Sequence, residues 1–147
     1  MAHAAGGPLG QGETPTVRIA RGERRSTMLW QVLSAVALLA MGGIHLYLAM
    51  WGGTGGLLGN LFILNALGGL VLAIAVVITR GQLLVISTVL GLLFLAGTLA
   101  ALVLALTVGL FGIESSLDYE LAPTTLVVET VGTIVLLITT AMVLRRR

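Results

Sequence analysis

The stretch LWQVLSAVALLAMGGIHLYLAMW, residues 29–51, decides the fold of this chain. It holds no Asp, Glu, Lys or Arg. A helix needs about 20 apolar residues to cross a bilayer's hydrocarbon core, and this run supplies them. In lipid, backbone polar groups must be satisfied within the segment or within a closed barrel. Spanning strands alternate in polarity over roughly ten residues, whereas this run is continuously apolar and about twice as long. A cleaved leader has an apolar core of about 7–15 residues that ends at a small-x-small site. This run is longer and ends in bulky LYLAMW, so a retained span is expected. Ser26 or Thr27 can serve as its N-cap.

Three more runs of the same kind follow. The spans are expected at about 28–51, 57–79, 82–108 and 123–144. WGGTGGLLGN joins the first two, Arg80-Gly81 marks the second turn, and the acidic FGIESSLDYELAP precedes the fourth span. Pro123 suits the first turn of that helix, where a missing N–H costs little. Residues 1–26, rich in Gly, Ala, Pro and Thr, lack apolar periodicity and are expected to be a disordered cytoplasmic tail. Residues 27–147 then form one membrane domain. Composition agrees: 57% of the 147 residues are hydrophobic and 10% charged, too few charges to cover a soluble domain. The expected fold class is all-α, a four-helix transmembrane bundle with both termini inside.

The arginines give the orientation. All 8 basic residues are arginine: Arg18, Arg21, Arg24 and Arg25 before the first span, Arg80 between the second and third, and Arg145, Arg146 and Arg147 after the fourth. With four spans they fall on one side, which the positive-inside rule places in the cytoplasm of a plasma membrane. They read as topology signals and lipid anchors, so no nucleic-acid partner is expected. Trp30, Trp51, Tyr47 and Tyr119 suit interface anchors.

Small residues at four-residue spacing let helices approach inside lipid. Gly97, Ala101, Ala105 and Gly109 form the longest such row, on the third span. Gly69 and Ala73 offer a shorter one on the second, and Gly42 and Gly43 lie on the first.

Ionisable groups inside a membrane are costly and tend to face the bundle or an aqueous cavity. His45 and Glu129 are expected about 9 Å below the outer boundary and Asn65 about 12 Å, with Asn60 above it. Three helices thus offer polar groups to one outer layer. The inner half carries only mild polar residues: Ser34, Ser87, Thr88, Thr139 and Thr140. Two roles fit the outer set. His45, Asn65 and Glu129 can form a structural clamp that fixes helix register, or Glu129 can simply reach the outer headgroups. Alternatively they form a ligand or proton site open to the outside. Met41 and His45 share a face at i, i+4 and are weak candidates for copper, although two such groups do not close a metal site. One membrane histidine disfavours bis-histidine haem. No cofactor is expected, and any function intrinsic to the chain is expected at the outer face.

No phosphate-binding loop, G-x-S-x-G elbow or H-E-x-x-H is present. Small four-span multidrug transporters carry their glutamate in span one, whereas the membrane glutamate here is in span four. With no cysteine, disulfide staples and thiol redox chemistry are excluded.

GIHLYL (43–48), LFILNALGG (61–69) and LTVGLFGIESS (106–116) resemble an uncharacterised family of small four-span membrane proteins common in high-GC Gram-positive bacteria. The resemblance covers spans one to three and the start of the outer loop. It implies no known activity, and it implies that His45, Asn65 and the Glu114-Ser115 step belong to a recurring pattern. The expected function is therefore that of a non-enzymatic accessory or assembly subunit, binding a membrane-protein partner or further copies of itself. The alternatives are a small proton-linked transporter using the outer His/Glu site and a membrane redox or metal-binding subunit.

Overall fold

In a computed structural model of the chain, residues 15–53, 55–109, 117 and 121–146 are described, with side chains from residue 25 onward. The chain folds into four helices, α1 (Pro15–Trp51), α2 (Gly56–Ile78), α3 (Gly81–Thr107) and α4 (Ala122–Leu144). They fall on the four apolar runs, and all four are long and apolar enough to cross a membrane. The protein is a multi-pass membrane protein by that measure. The acidic connection with Glu114, Asp118, Tyr119 and Glu120, together with His3 and Arg147, lies outside the described residues.

Two turns depend on glycine. Gly53 and Gly56 have φ of 67° and 62° between α1 and α2, and Gly81 has φ of 59° at the start of α3. A Cβ strains this left-handed region, so these glycines reverse the chain without strain.

Helix α1 differs from the sequence expectation. It begins at Pro15, inside the tail expected to be disordered to residue 26. The physical reason is cooperativity. Helix nucleation is the unfavourable step, and the apolar span supplies the nucleus. Arginine and alanine have high helix propensity, so the helix extends backward through them until Pro15, which fits a first turn. Its 37 residues make a rod of about 55 Å, longer than the hydrocarbon core.

The helices pack in a ring, each against its two neighbours in the order α1, α2, α3, α4 and back to α1. Every packed pair is antiparallel. Gln31 reaches Val76 at one end of the α1–α2 pair, while His45 meets Phe62 at the other. Ser34 meets Thr139 and His45 meets Glu129 along α1–α4. Arg25, Arg80, Arg145 and Arg146 therefore gather at one end of the bundle, called the arginine end below.

The centre is a dry apolar layer of Leu38, Met41, Val76, Leu95 and Leu136, each 0% exposed, with Ala73 beside them. Helices α1 and α2 come closest. A Cβ at Gly69 would lie 2.9 Å from the Leu38 carbonyl oxygen, and one at Gly42 would lie 3.2 Å from the Ala66 oxygen. Gly132 and Gly91 do similar work on the other side of the ring, receiving Leu95 and Leu136 respectively. Phe94 of α3 seats its ring over Gly68 of α2.

The small-residue row of α3 is not among these contacts. Gly97 is exposed, and a Cβ added there would meet nothing within 4 Å. Ala101, Ala105 and Gly109 are only half-buried. Gly43 likewise faces outward. The outer surface is otherwise large and apolar, as at Leu64, Val71, Leu93, Val127 and Leu137.

These contrasts make a direct test. Gly69→Ala is expected to push α1 and α2 apart and to destabilise the bundle by about 1–3 kcal/mol. Gly97→Ala should leave stability unchanged. Thermal unfolding of both variants in mild detergent checks the pair.

Candidate functional site

Each helix carries a polar residue on both sides of the apolar centre. On α1 these are Ser34 and His45, on α2 Asn65 with Thr79 capping its end, on α3 Thr88 and Thr98, and on α4 Thr139 and Glu129. Ten or eleven residues of helix separate the members on α1, α3 and α4, a rise of about 15 Å. The antiparallel register aligns them into two layers with the Leu38, Met41, Leu95 and Leu136 plug between.

The far layer, opposite the arginine end, holds the three residues singled out from the sequence. His45 is 6% exposed and Glu129 0%. His45 lies six residues before the end of α1 and Glu129 seven after the start of α4, each about 9–10 Å from its helix end. The structure brings these two together: Nε2 of His45 lies 3.9 Å from Oε1 of Glu129. That is ion-pair range and beyond hydrogen-bond range. The other ring nitrogen, Nδ1, is 3.0 Å from the Met41 carbonyl oxygen one turn back. Phe62 of α2 presents an edge-to-face contact at 5.1 Å between centroids, which holds the imidazole plane.

Glu129 is left unsatisfied. Thr98 of α3 faces the carboxyl group, but its hydroxyl donates to the Leu95 carbonyl at 3.0 Å. Neither carboxyl oxygen of Glu129 has a hydrogen bond. A buried carboxyl group without partners is costly, so its environment must be completed by the contact with His45.

Asn65 does not join the pair. It is half-buried, and no hydrogen bond links it to His45 or Glu129 among the described residues. Its register lies between the row that meets α1 (Phe62, Ala66, Gly69) and Gly68, which meets α3. Asn60 is exposed at the start of α2. Met41 is fully buried, and its Cε packs against Gly69 of α2. It fills the core beneath His45. Among the described residues no group of three or more His, Cys, Asp or Glu could hold a metal ion.

The layer at the arginine end is richer than the sequence reading allowed. Gln31, 7% exposed, donates from Nε2 to the Val76 carbonyl across α1–α2 at 3.2 Å. The hydroxyls of Ser34 and Thr139 meet at 2.8 Å across α1–α4. Thr79 and Ser87 meet at 3.3 Å beside the α2–α3 turn. Thr140 keeps a buried hydroxyl without a hydrogen bond. Gln31 was missed because it sits near a span end, where an amide is unremarkable. Its spacing of three from Ser34 was the available signal.

Comparison with protein-family models, curated proteins and solved structures finds no match to this chain. The site therefore stands on its own geometry.

A two-step substitution tests whether the far pair holds the bundle. His45→Phe alone leaves the Glu129 carboxyl group buried without its nearest polar neighbour and is expected to be the more destabilising single change. Glu129→Leu alone leaves Nε2 without a partner and costs less, about 1–3 kcal/mol. The double variant, with both partners apolar, should recover most of the loss. Unfolding midpoints in detergent for the four proteins provide the measurement. Additive losses in the double variant would show that the two side chains act separately.

Proposed function

We propose that the chain is a non-enzymatic accessory or assembly subunit of a bacterial plasma membrane, with both termini in the cytoplasm. The observation that carries the assembly role is the small-residue row of α3, exposed at Gly97 and half-buried beyond it. Inside lipid, close packing drives association, and small residues admit a neighbouring backbone. The crossings within the bundle use Gly42, Gly69, Gly91 and Gly132. Gly97 takes no such part and is exposed, with the half-buried Ala101 and Ala105 in line with it, so the row offers a neighbouring helix a small-residue approach. A helix of a membrane-protein partner, or of a second copy, fits that surface.

The orientation rests on the arginines. Arg25, Arg80, Arg145 and Arg146 sit at one end of the bundle, and the positive-inside rule puts that end in the cytoplasm. The bacterial assignment follows the resemblance of GIHLYL, LFILNALGG and LTVGLFGIESS to the four-span family of high-GC Gram-positive bacteria.

A second reading is a small proton-linked transporter. The unpartnered carboxyl oxygens of Glu129 favour it. The Leu38, Met41, Leu95 and Leu136 plug stands against it, because no polar group bridges the two layers through that centre among the described residues. Glu129→Gln should then abolish proton flux in reconstituted vesicles, and unchanged flux with an intact fold counts against a carrier role.

The assembly role has its own test. Tagged chain at native expression, extracted in mild detergent, is expected to carry a stoichiometric partner or to run as a defined oligomer. Gly97→Leu with Ala101→Leu should weaken that association by about tenfold, or ~1.4 kcal/mol, with the helical content retained. A lone monomer at native expression would overturn the proposal.

A further inference from the structure

We propose that His45 and Glu129 form a one-proton latch between α1 and α4. A single proton, on Nε2 or on the carboxyl group, makes the facing atoms donor and acceptor, and loss of that proton leaves two acceptors facing and opens the far end of the bundle. The latch is a property of the chain itself and holds whether or not the chain assembles with another protein.

The argument begins at the other ring nitrogen. Nδ1 of His45 lies 3.0 Å from the Met41 carbonyl oxygen. A carbonyl oxygen only accepts, so Nδ1 carries a hydrogen and donates it. That fixes the tautomer. In the neutral ring Nε2 then carries a bare lone pair, 3.9 Å from Glu129 Oε1. An ionised carboxylate is also acceptor-only. Two acceptors would face each other in a site with no exposure on the glutamate side. One proton between them turns this arrangement into a donor–acceptor pair, whichever of the two atoms carries it.

The one neighbouring side chain that offers the carboxyl group another donor among the described residues is Thr98. The Thr98 hydroxyl already donates to Leu95. Helix α2 presents Phe62, whose ring edge packs on the imidazole, and the half-buried Asn65, which does not titrate. Apart from His45 and Glu129, no described Asp, Glu, His or Arg lies in this layer on α1, α2, α3 or α4. Tyr47 is exposed and stacks on Trp51. The described arginines, from Arg25 to Arg146, belong to the opposite end. Glu114, Asp118, Tyr119 and Glu120 lie outside the described residues, and the Glu129→Gln control below separates any contribution from them.

The consequence has a sign. While the single proton is present, α1 and α4 are tied at the far layer. As pH rises and the proton is lost, the two lone pairs repel and the tie fails. At the arginine end the Ser34–Thr139 hydroxyl pair contains no titratable group, so that end stays closed. The motion is a splaying of the far end about the apolar plug.

The chain has no cysteine, so a labelled pair can be introduced cleanly. Met50 and Thr124 are exposed near the far ends of α1 and α4 and belong to neither layer. Spin labels at M50C and T124C in the full chain, in lipid nanodiscs, report the distance between those ends. The expected result is a narrow distribution at neutral pH that shifts to longer, broader distances at alkaline pH and returns on neutralisation. Glu129→Gln supplies a permanent amide donor to Nε2, so its distribution should not shift with pH. An absent shift in the parent chain, an irreversible one, or an equal shift in the glutamine variant overturns the latch. Nitrogen NMR of histidine-labelled parent chain gives a reading that needs no variant. It should show Nδ1 of His45 protonated throughout and Nε2 changing at the pH where the label distance changes. An unprotonated Nδ1, or an Nε2 signal indifferent to pH, also overturns it.

Discussion

The approach of α1 to α2 at Gly42 and Gly69 is the contact on which the rest of the bundle depends. Lipid tails are as apolar as the side chains they surround, so burial of apolar surface does not draw helices together there. Dispersion between well-fitted surfaces does, and it falls off within an ångström or so of separation. With no room for a Cβ between Gly69 and the Leu38 carbonyl, the backbones set their own distance and no long side chain intervenes. Leu38 and Met41 then project into the centre, where Leu95 and Leu136 close over them. The crossing on the opposite side follows the same rule, with Gly132 accepting Leu95.

Once the crossings are fixed, the polar layers have only one register available. Ser34 and His45 lie on one face of α1, and Thr139 and Glu129 on one face of α4. A one-residue slip between the helices would turn at least one of these groups toward lipid, where it has no partner. The individual bonds are weak, because interhelical polar contacts average about 0.6 kcal/mol in membranes. Their effect is to reject wrong alignments. The glycine contacts supply proximity, and the polar contacts supply the choice among alignments that are nearly equal in packing.

Span number and position were legible in the sequence because hydrophobic length is read without knowing which way any side chain points. Runs bounded by Arg80 and Pro123 leave little freedom. The depths of His45 and Glu129 were legible for the same reason, since a helix converts residue count into height. Azimuth was not. These helices are apolar all round, so no amphipathic stripe marks the inward face. That is why the row of Gly97, Ala101 and Ala105 reads as a contact face although Gly97 is exposed, while Gly91 on the same helix is buried. It is also why Asn65 was grouped with His45 and Glu129 from its height and does not bond to either. The start of α1 at Pro15 was hidden differently, because a tail read alone does not show the nucleus that its neighbour provides.

The two polar layers differ in how completely they are satisfied, and that difference locates the chemistry. At the arginine end most groups already have backbone acceptors. Gln31 donates to Val76, Thr139 to Val135, Ser87 to Leu83 and Thr88 to Val85. Most hydroxyls of this layer fall back on a carbonyl one turn earlier, Thr140 excepted, so that layer holds together without a charged group. A carboxyl group has no such recourse, because it has no donor to offer a carbonyl when ionised. Glu129 is therefore the one described ionisable residue buried in the spans with neither carboxyl oxygen hydrogen-bonded, so it depends on what another helix brings to it. His45 brings a ring whose outer nitrogen is committed to Met41 and whose inner nitrogen is free. Replacing such a pair with leucine and phenylalanine would satisfy packing at lower cost. The pair is thus poorly explained as a source of stability, and well explained as a contact whose strength responds to something other than packing.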